Sequence, residues 1–419
     1  MKHSFVLFFF CLLMMACGKQ EEEPQPPASN KEQAPVTVWA YLLADNSIKN
    51  EIRNNIKTMY EGLSKLEKQA TLLVYWDGGN DTYIKSSHCI LRYTTDGEGN
   101  INGTSARDSS YQIRFIVEEG EIVKEYPSQD STDKNVMVSV LKDMKRLSPA
   151  DKIVLVAGSH GSAWTNSILT QTRSFGQDGP GTDNTITTSD MADAIQNAGV
   201  ELDLLLLDAC LMGTIEVCYD FRKVANYMIV SPIEVPGPGF PFNEVMTDLY
   251  KGTVDGYKNA CQKDIAHYGK RPDGYDWSAI SLIDGSKLDG LSSLIKNELV
   301  EHKDFIHDYN PVGELQQYGV NKSATSLKRN FYYVSFDVLQ FMNVLNGNNI
   351  PADLDNLFHE TVLYADCLEN SINYPLEKSK YCGLGMYIPV KERPKWNDYF
   401  KTIEWYSAAG WDNISFSWQ

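Results

Sequence analysis

Beyond its first residues the chain has no apolar run of the roughly 18 residues that a membrane-crossing helix needs, which excludes an ordinary transmembrane protein. Basic residues are scarce. The 38 Lys and Arg against 55 Asp and Glu leave a formal net charge of −17, and such a surface cannot neutralise phosphates broadly, which argues against nucleic acid as a partner. Eight cysteines in 419 residues, irregularly spaced, do not make a small disulfide scaffold. No Cys-x-x-Cys pair suggests zinc, and no EF-hand spacing suggests calcium. Gly-x-Ser-x-Gly, His-Glu-x-x-His, Walker and dinucleotide-binding motifs are also missing, so neither a metal nor a cofactor is expected.

What is present is globular: 42% hydrophobic and 22% charged residues, in a length suited to one large α/β domain or two domains. The first 17 residues read as a targeting segment, with Lys2 and His3, an apolar stretch over 5–15, and Ala16 before Cys17. They resemble a bacterial lipoprotein signal, which makes Cys17 the acylated first residue of the mature chain. An ordinary secretory signal with a chance cysteine is the alternative. Residues 18–35 hold Glu21, Glu22, Glu23, four prolines and almost nothing apolar, the composition of a disordered tether. An acidic run behind the lipidated cysteine resembles a surface-export signal, so attachment to the outer membrane is expected, with the cell surface as the further implication.

Past the tether, apolar runs at 36–43, 71–75, 153–157, 204–207 and 227–230 read as strands. Helical periodicity fills 48–63, 133–144, 189–198 and about 212–222 between them. Strand, helix, strand at this spacing is a parallel β-α-β unit, and continuous apolar strands fit a sheet covered on both faces. A hairpin over 112–117 and 121–126 is expected at the sheet edge. Further helices are expected at 254–267, 286–299, 336–345 and 354–368, with strands at 278–283 and 383–388. We take 36–232 as a catalytic core and 233–419 as a region completing it; whether that region extends the sheet or forms a lobe is open.

Two strand ends carry the chemistry. Val154-Leu155-Val156-Ala157 runs into Gly158-Ser159-His160-Gly161, and four leucines run into Asp208-Ala209-Cys210. Ligands of open parallel sheets bind outside the carboxyl ends of the strands. A thiol nucleophile needs a proton carrier and donors for an oxyanion. Cys210, expected at a helix start that favours the thiolate, supplies the first. His160 is the general base and acid. The amides of Gly161 and Cys210 are the candidate oxyanion hole. A cysteine or histidine considered alone is more often a packed or locally bonded residue, but the joint pattern favours catalysis.

Ser159-His160-Gly161-Ser162-Ala163-Trp164 resembles the SHGSGW segment of the clostripain family of caspase-like cysteine peptidases, and Leu207 to Gly213 is similar to its DACLMG segment. Similarity extends over residues 39–46, 216–231 and 383–389; Ala163 stands where glycine is usual. The resemblance implies a caspase-like α/β/α sandwich with a mostly parallel sheet, plus a mixed helical C-terminal region. It implies cleavage after Arg or Lys, selected by Asp208 at the base of the substrate pocket; the alternative is that Asp208 caps the following helix. It also implies maturation by a cut in the loop between His160 and Cys210, where Arg173 is the only basic residue and hence the candidate self-cleavage site. A rival from another class is a catalytically silent peptide-binding lipoprotein on the same scaffold. Cys218 is expected to pack in the core, and His88, His267, His302, His307 and His359 to bond locally. Asp77, Asp81, Asp178 and Asp183 read as turn residues.

Overall fold

The computed structural model describes residues 34–79, 81, 83–105, 120–165, 175–179, 184–319, 335–369 and 371–418. The signal with Cys17, nearly all of the tether, the strand expected over 112–117, Arg173 and Asp183 lie outside the described residues. In chain order the strands are β1 (Ala34–Leu43), β2 (Ala70–Asp77), β3 (His88–Thr95), β4 (Asn100–Ile101), β5 (Thr104–Ser105), β6 (Glu121–Glu125), β7 (Ala150–Gly158), β8 (Leu202–Asp208), β9 (Ala225–Val230), β10 (Ala279–Asp284), β11 (Gln317–Tyr318), β12 (Ser335–Asp337), β13 (Val362–Cys367) and β14 (Gly385–Met386). The main sheet runs β13-β10-β9-β8-β7-β1-β2-β3-β4-β5, with β6 also paired to β3; β11, β12 and β14 make a small separate sheet. Pairing is parallel from β9 through β8, β7 and β1 to β2, and antiparallel outside that block.

Side chains of β1 alternate between two cores. Val38, Ala40 and Leu42 pack with α1 (Lys49–Leu63) on one face, and Trp39, Tyr41 and Leu43 pack with α2 (Lys134–Leu147) on the other. Helices α3 (Thr188–Asn197) and α4 (Ile215–Phe221) join the α2 side, whereas α5 (Phe242–Leu249) and α6 (Val254–Tyr268) join the α1 side. Leu204, Leu205, Leu206 and Leu207 of β8 are at most 1% exposed. Leucine favours helices intrinsically, but each of these side chains gains roughly 1.5–3 kcal/mol from burial, and only a strand offers its alternate residues to both layers. The sequence of β8 is therefore decided by its neighbours rather than by propensity.

The C-terminal half extends the same sheet through β10 and β13, and also carries the small sheet of β11, β12 and β14. Several elements differ from expectation. After α7 (Leu288–Glu301) and α8 (Val338–Leu345), the helix expected over 354–368 stops as α9 (Ala352–Thr361), and the chain continues as β13 because β10 offers it an edge. Strand β3 and helix α5 were hidden, β3 behind His88 and Arg92 and α5 behind Pro241, which serves as its N-cap residue. Helix α4 begins at Ile215, capped by Thr214, whose hydroxyl accepts from Val217 N. Cys210 consequently does not sit at a helix start.

Candidate active site

Chain order fixes where a site can form. From β1 the chain passes to β2 on one side, and β7 then adds on the other, so β1 and β7 flank a point where the winding reverses. Crevices at such points, outside the carboxyl ends of the strands, are where α/β sheets bind ligands. Three segments leave the sheet there: Ala44 to Ser47 after β1, Ser159 to Trp164 after β7, and Ala209 to Gly213 after β8.

Gly158 and Asp208 are register partners on β7 and β8, so His160 and Cys210, each two residues further on, emerge side by side. The main chains touch. A Cβ on Gly161 would lie 2.5 Å from Cys210 O and 3.0 Å from Cys210 N, so only glycine fits. His160 is half-buried, and its Nε2 is 2.9 Å from Ser47 Oγ. Asn46 ties the β1 exit to this loop by donating to Ser159 Oγ at 3.4 Å and to Leu43 O at 2.8 Å. Gly176 N donates to His160 O at 2.9 Å, fixing the histidine main chain from the other side. In the sequence Asn46 and Ser47 read only as helix-capping residues after the first strand and not as site residues, although the Asp-Asn-Ser run at a strand end is the signal that could have found them.

Cys210 Sγ is 4.0 Å from Val235 O. Burial, and then the charge of Glu234, push its thiol up to about 12. The expectation of a helix start at Cys210 is corrected, because the helix begins five residues later; burial of the sulfur favours the neutral thiol. Leu211, with φ 67°, turns the chain sharply after the cysteine, and its amide donates to Ile233 O at 3.0 Å. Gly213 N donates to Ser231 O at 2.7 Å and Gly213 O accepts from Gly385 N at 3.0 Å. Buried Glu216 accepts from Tyr387 N at 2.7 Å. The late Gly-Leu-Gly-Met-Tyr-Ile-Pro segment thus braces the cysteine loop from below.

Asp208 is 7% exposed. Its carboxylate accepts from Asn55 Nδ2 on α1 at 3.0 Å and from Phe240 N at 3.3 Å. Neither donor is a cation, and burial raises its pKa to about 7. A capping role is excluded because Thr214 caps α4. Gly239, at φ 73°, lies so close that a Cβ would meet Asp208 Oδ2 at 2.6 Å. Tyr268 OH donates to Gly239 O. Asp264, on the same helix as Tyr268, accepts from Ser278 Oγ at 2.5 Å; burial, together with the charge of Asp208, raises it to about 7. Asp208 and Asp264 are therefore two buried carboxyls near enough for the charge of one to act on the other.

Ala163 has φ 59° and is fully buried, which gives a physical reason for glycine at that position elsewhere: the backbone is left-handed there. Next to it Trp164 packs against Tyr387, Trp396, Tyr399 and Phe400, anchoring the histidine loop to α10 (Pro394–Phe400). Cys218 is fully buried, and all six described cysteines are free thiols. Asp81 keeps its turn role, accepting from Tyr83 N and Ile84 N and pairing with Arg53 at 2.6 Å. Asp77, His88 and Asp178 do not behave as separate turn or surface residues, since all three are buried and converge.

A family model described as the clostripain family matches residues 40–418. Clostripain from Hathewaya histolytica is 26% identical over 250 residues, covering 53% of this chain and 43% of that protein. The chain thus matches less than half the length of that relative. Among solved structures, a secreted C11 cysteine protease from Bacteroides thetaiotaomicron, in complex with an irreversible peptide inhibitor, superimposes with a TM-score of 0.68 at 23% identity, over 91% of this chain and 100% of that one. An inactive zymogen C11 protease from Parabacteroides distasonis gives 0.69 at 22% identity, over 90% and 99%. These likenesses establish a shared fold, the caspase-like α/β/α sandwich.

Proposed function

Since the chain belongs to the clostripain family, we propose that it is a cysteine endopeptidase cutting after Arg or Lys, with Cys210 as nucleophile and His160 as general base and acid. The observation that carries this reading is the fit of Gly161 against the Cys210 main chain, which brings the two strand-end motifs together. His160 takes the proton of the Cys210 thiol as sulfur attacks the scissile carbonyl carbon. The tetrahedral oxyanion is met by the amides of Gly161 and Cys210. Collapse breaks the C–N bond, and His160 returns the proton to the leaving amine. Water, deprotonated by His160, then cleaves the thioester and regenerates the thiol. Burial of Cys210 favours the neutral thiol, which gives the histidine a proton to take. Ser47 fixes the ring through Nε2.

Asp208 supports the basic preference. A carboxyl that is buried, bonded only to neutral donors and raised to about 7 gains most from a cation brought in by substrate. We further propose that a cut after Arg173 matures the enzyme, a reading in keeping with the zymogen state of the P. distasonis relative. Cys17 is proposed as the lipid attachment point, checked by detergent phase partitioning, where a Cys17→Ala chain that stays in the detergent phase would refute it.

The test of the main proposal is a panel of peptides differing only at the residue before the cut, run on wild type, Cys210→Ala and His160→Ala. Hydrolysis of Arg and Lys peptides is expected in wild type alone. Near wild-type turnover in a folded Cys210→Ala protein would remove the proposal.

A further inference from the structure

Asp77 ends β2 and His88 begins β3, and the two are register partners across the antiparallel pair. Asp178 reaches them from the segment after Phe175. Their exposures are 0%, 4% and 7%, and one ligating atom from each lies within 4.8 Å of the others. His88 Nε2 is 3.2 Å from Asp77 Oδ1, yet neither Asp77 oxygen nor His88 Nε2 meets a hydrogen-bond partner in bonding geometry. Ser131 Oγ and the Gly79 amide approach Asp77, but Ser131 Oγ is engaged by Tyr75 OH at 2.6 Å. Among the described residues no lysine or arginine pairs with Asp77. A fully buried carboxylate facing a second carboxylate, with no cation and no adequate donor, is a costly arrangement that one ion relieves.

We propose that Asp77, His88 and Asp178 bind one divalent transition-metal ion of the zinc or manganese class, which staples the segment containing Asp178 to the ends of β2 and β3. One imidazole with two carboxylates suits such ions, whereas calcium takes about 6–8 oxygens. A separation of 3.2 Å is close to the edge of a tetrahedron built on bonds of about 2.0–2.1 Å. The outer contacts are those of a ligand set. Ser87 Oγ engages His88 Nδ1 at 3.0 Å, which presents Nε2 to the ion, and Ser131 N donates to Asp178 Oδ2 at 2.6 Å. The stapled segment also holds the histidine loop, because Gly176 N donates to His160 O and Gln177 O accepts from Asn46 Nδ2 at 3.1 Å. Metal removal therefore loosens the frame of His160. That effect on turnover rests on the peptidase reading, but binding and stability do not.

The experiment uses the full chain carrying Cys210→Ala, so that the catalytic thiol cannot capture zinc. After stripping with chelator, Zn2+ and Mn2+ are titrated by calorimetry and melting is followed with and without metal. One equivalent of ion and a melting shift of several degrees are expected, with Asp77→Asn or Asp178→Asn weakening binding at least tenfold. X-ray absorption of the zinc-loaded parent should read one imidazole with oxygen ligands, and this readout stands even if a variant fails to fold. Loss of hydrolysis in stripped wild type, with binding intact as described, would extend the proposal to the active site; binding with unchanged hydrolysis would support the staple while removing its link to His160. No binding, equal binding in the variants, sulfur ligation, or preference for Ca2+ would each overturn it.

Discussion

Consider the binding of an arginine peptide to Cys210→Ala protein as pH is varied. Asp208 must be ionised to pair with a guanidinium, and burial raises it to about 7 in the free protein. About one molecule in eleven carries the charge at pH 6 and about ten in eleven at pH 8, so the apparent Kd should fall about tenfold over that interval. A peptide with citrulline in place of arginine should show no such fall. Asp208→Asn should bind the arginine peptide about 30-fold or more weakly at pH 8, because a charge pair in a desolvated pocket loses a partner worth at least ~2 kcal/mol. The same substitution has an opposite effect on the unliganded fold. A carboxyl raised in the folded state from its unfolded value near 3.9 stabilises the protein most below that value, and the stability is lost as pH rises through about 7. That difference corresponds to at most roughly 4 kcal/mol. Asp208→Asn should therefore melt higher than wild type at pH 8 and not at pH 4. Isothermal titration from pH 6 to 8 and melting curves at both ends are the assays. An affinity for arginine that is flat with pH, or equal in Asp208→Asn, would refute the pocket assignment.

Ser47→Ala removes the hydroxyl at Nε2 of His160 and should lower kcat about fivefold to tenfold, the worth of roughly 1 kcal/mol, with KM little changed and partial rescue by Ser47→Thr; an unchanged pH profile and rate would mean the contact is incidental. Ala163→Gly relieves about 1–2 kcal/mol of left-handed strain but gives up about 0.8 kcal/mol of methyl burial, so its stability by denaturant titration should stay within about 1 kcal/mol of wild type, whereas the β-branched Ala163→Val should lose more than about 2 kcal/mol. Incubated wild type should yield two fragments, the second beginning at Ser174 by N-terminal sequencing, while Cys210→Ala and Arg173→Ala stay intact; a fully active uncut wild type would end the maturation idea.

Legibility in the sequence followed the range of the forces involved. The positions of His160 and Cys210 at the sheet's carboxyl edge were legible because each closely follows a buried strand, which a local pattern reports. The role of Asp208 was left between pocket and cap, and Thr214 decides against the cap only once the true start of α4 is known. Asp77, His88 and Asp178 come from three distant segments with ordinary turn-like surroundings, and nothing short of the β2 to β3 register and the return of the 175–179 segment assembles them. The C-terminal strand β13 was read as helix because its apolar spacing continues that of α9; the competing edge of β10 is a tertiary fact.

The parallel pairing of β7 with β8 has a consequence for what the catalytic unit is. The connection from His160 to Glu201 lies between those two strands in sequence, so a break anywhere in it puts the proposed base and the proposed nucleophile on separate polypeptides. The N-terminal piece keeps β1, β2 and β7, and the C-terminal piece keeps β8, β9, β10 and β13, with one seam of ladder hydrogen bonds and two helical layers between them. A nicked molecule is then a heterodimer born from one gene product. Its melting becomes dependent on concentration, its activity can be diluted away, and the two pieces expressed apart become the halves of a split reporter whose reassembly is read by turnover.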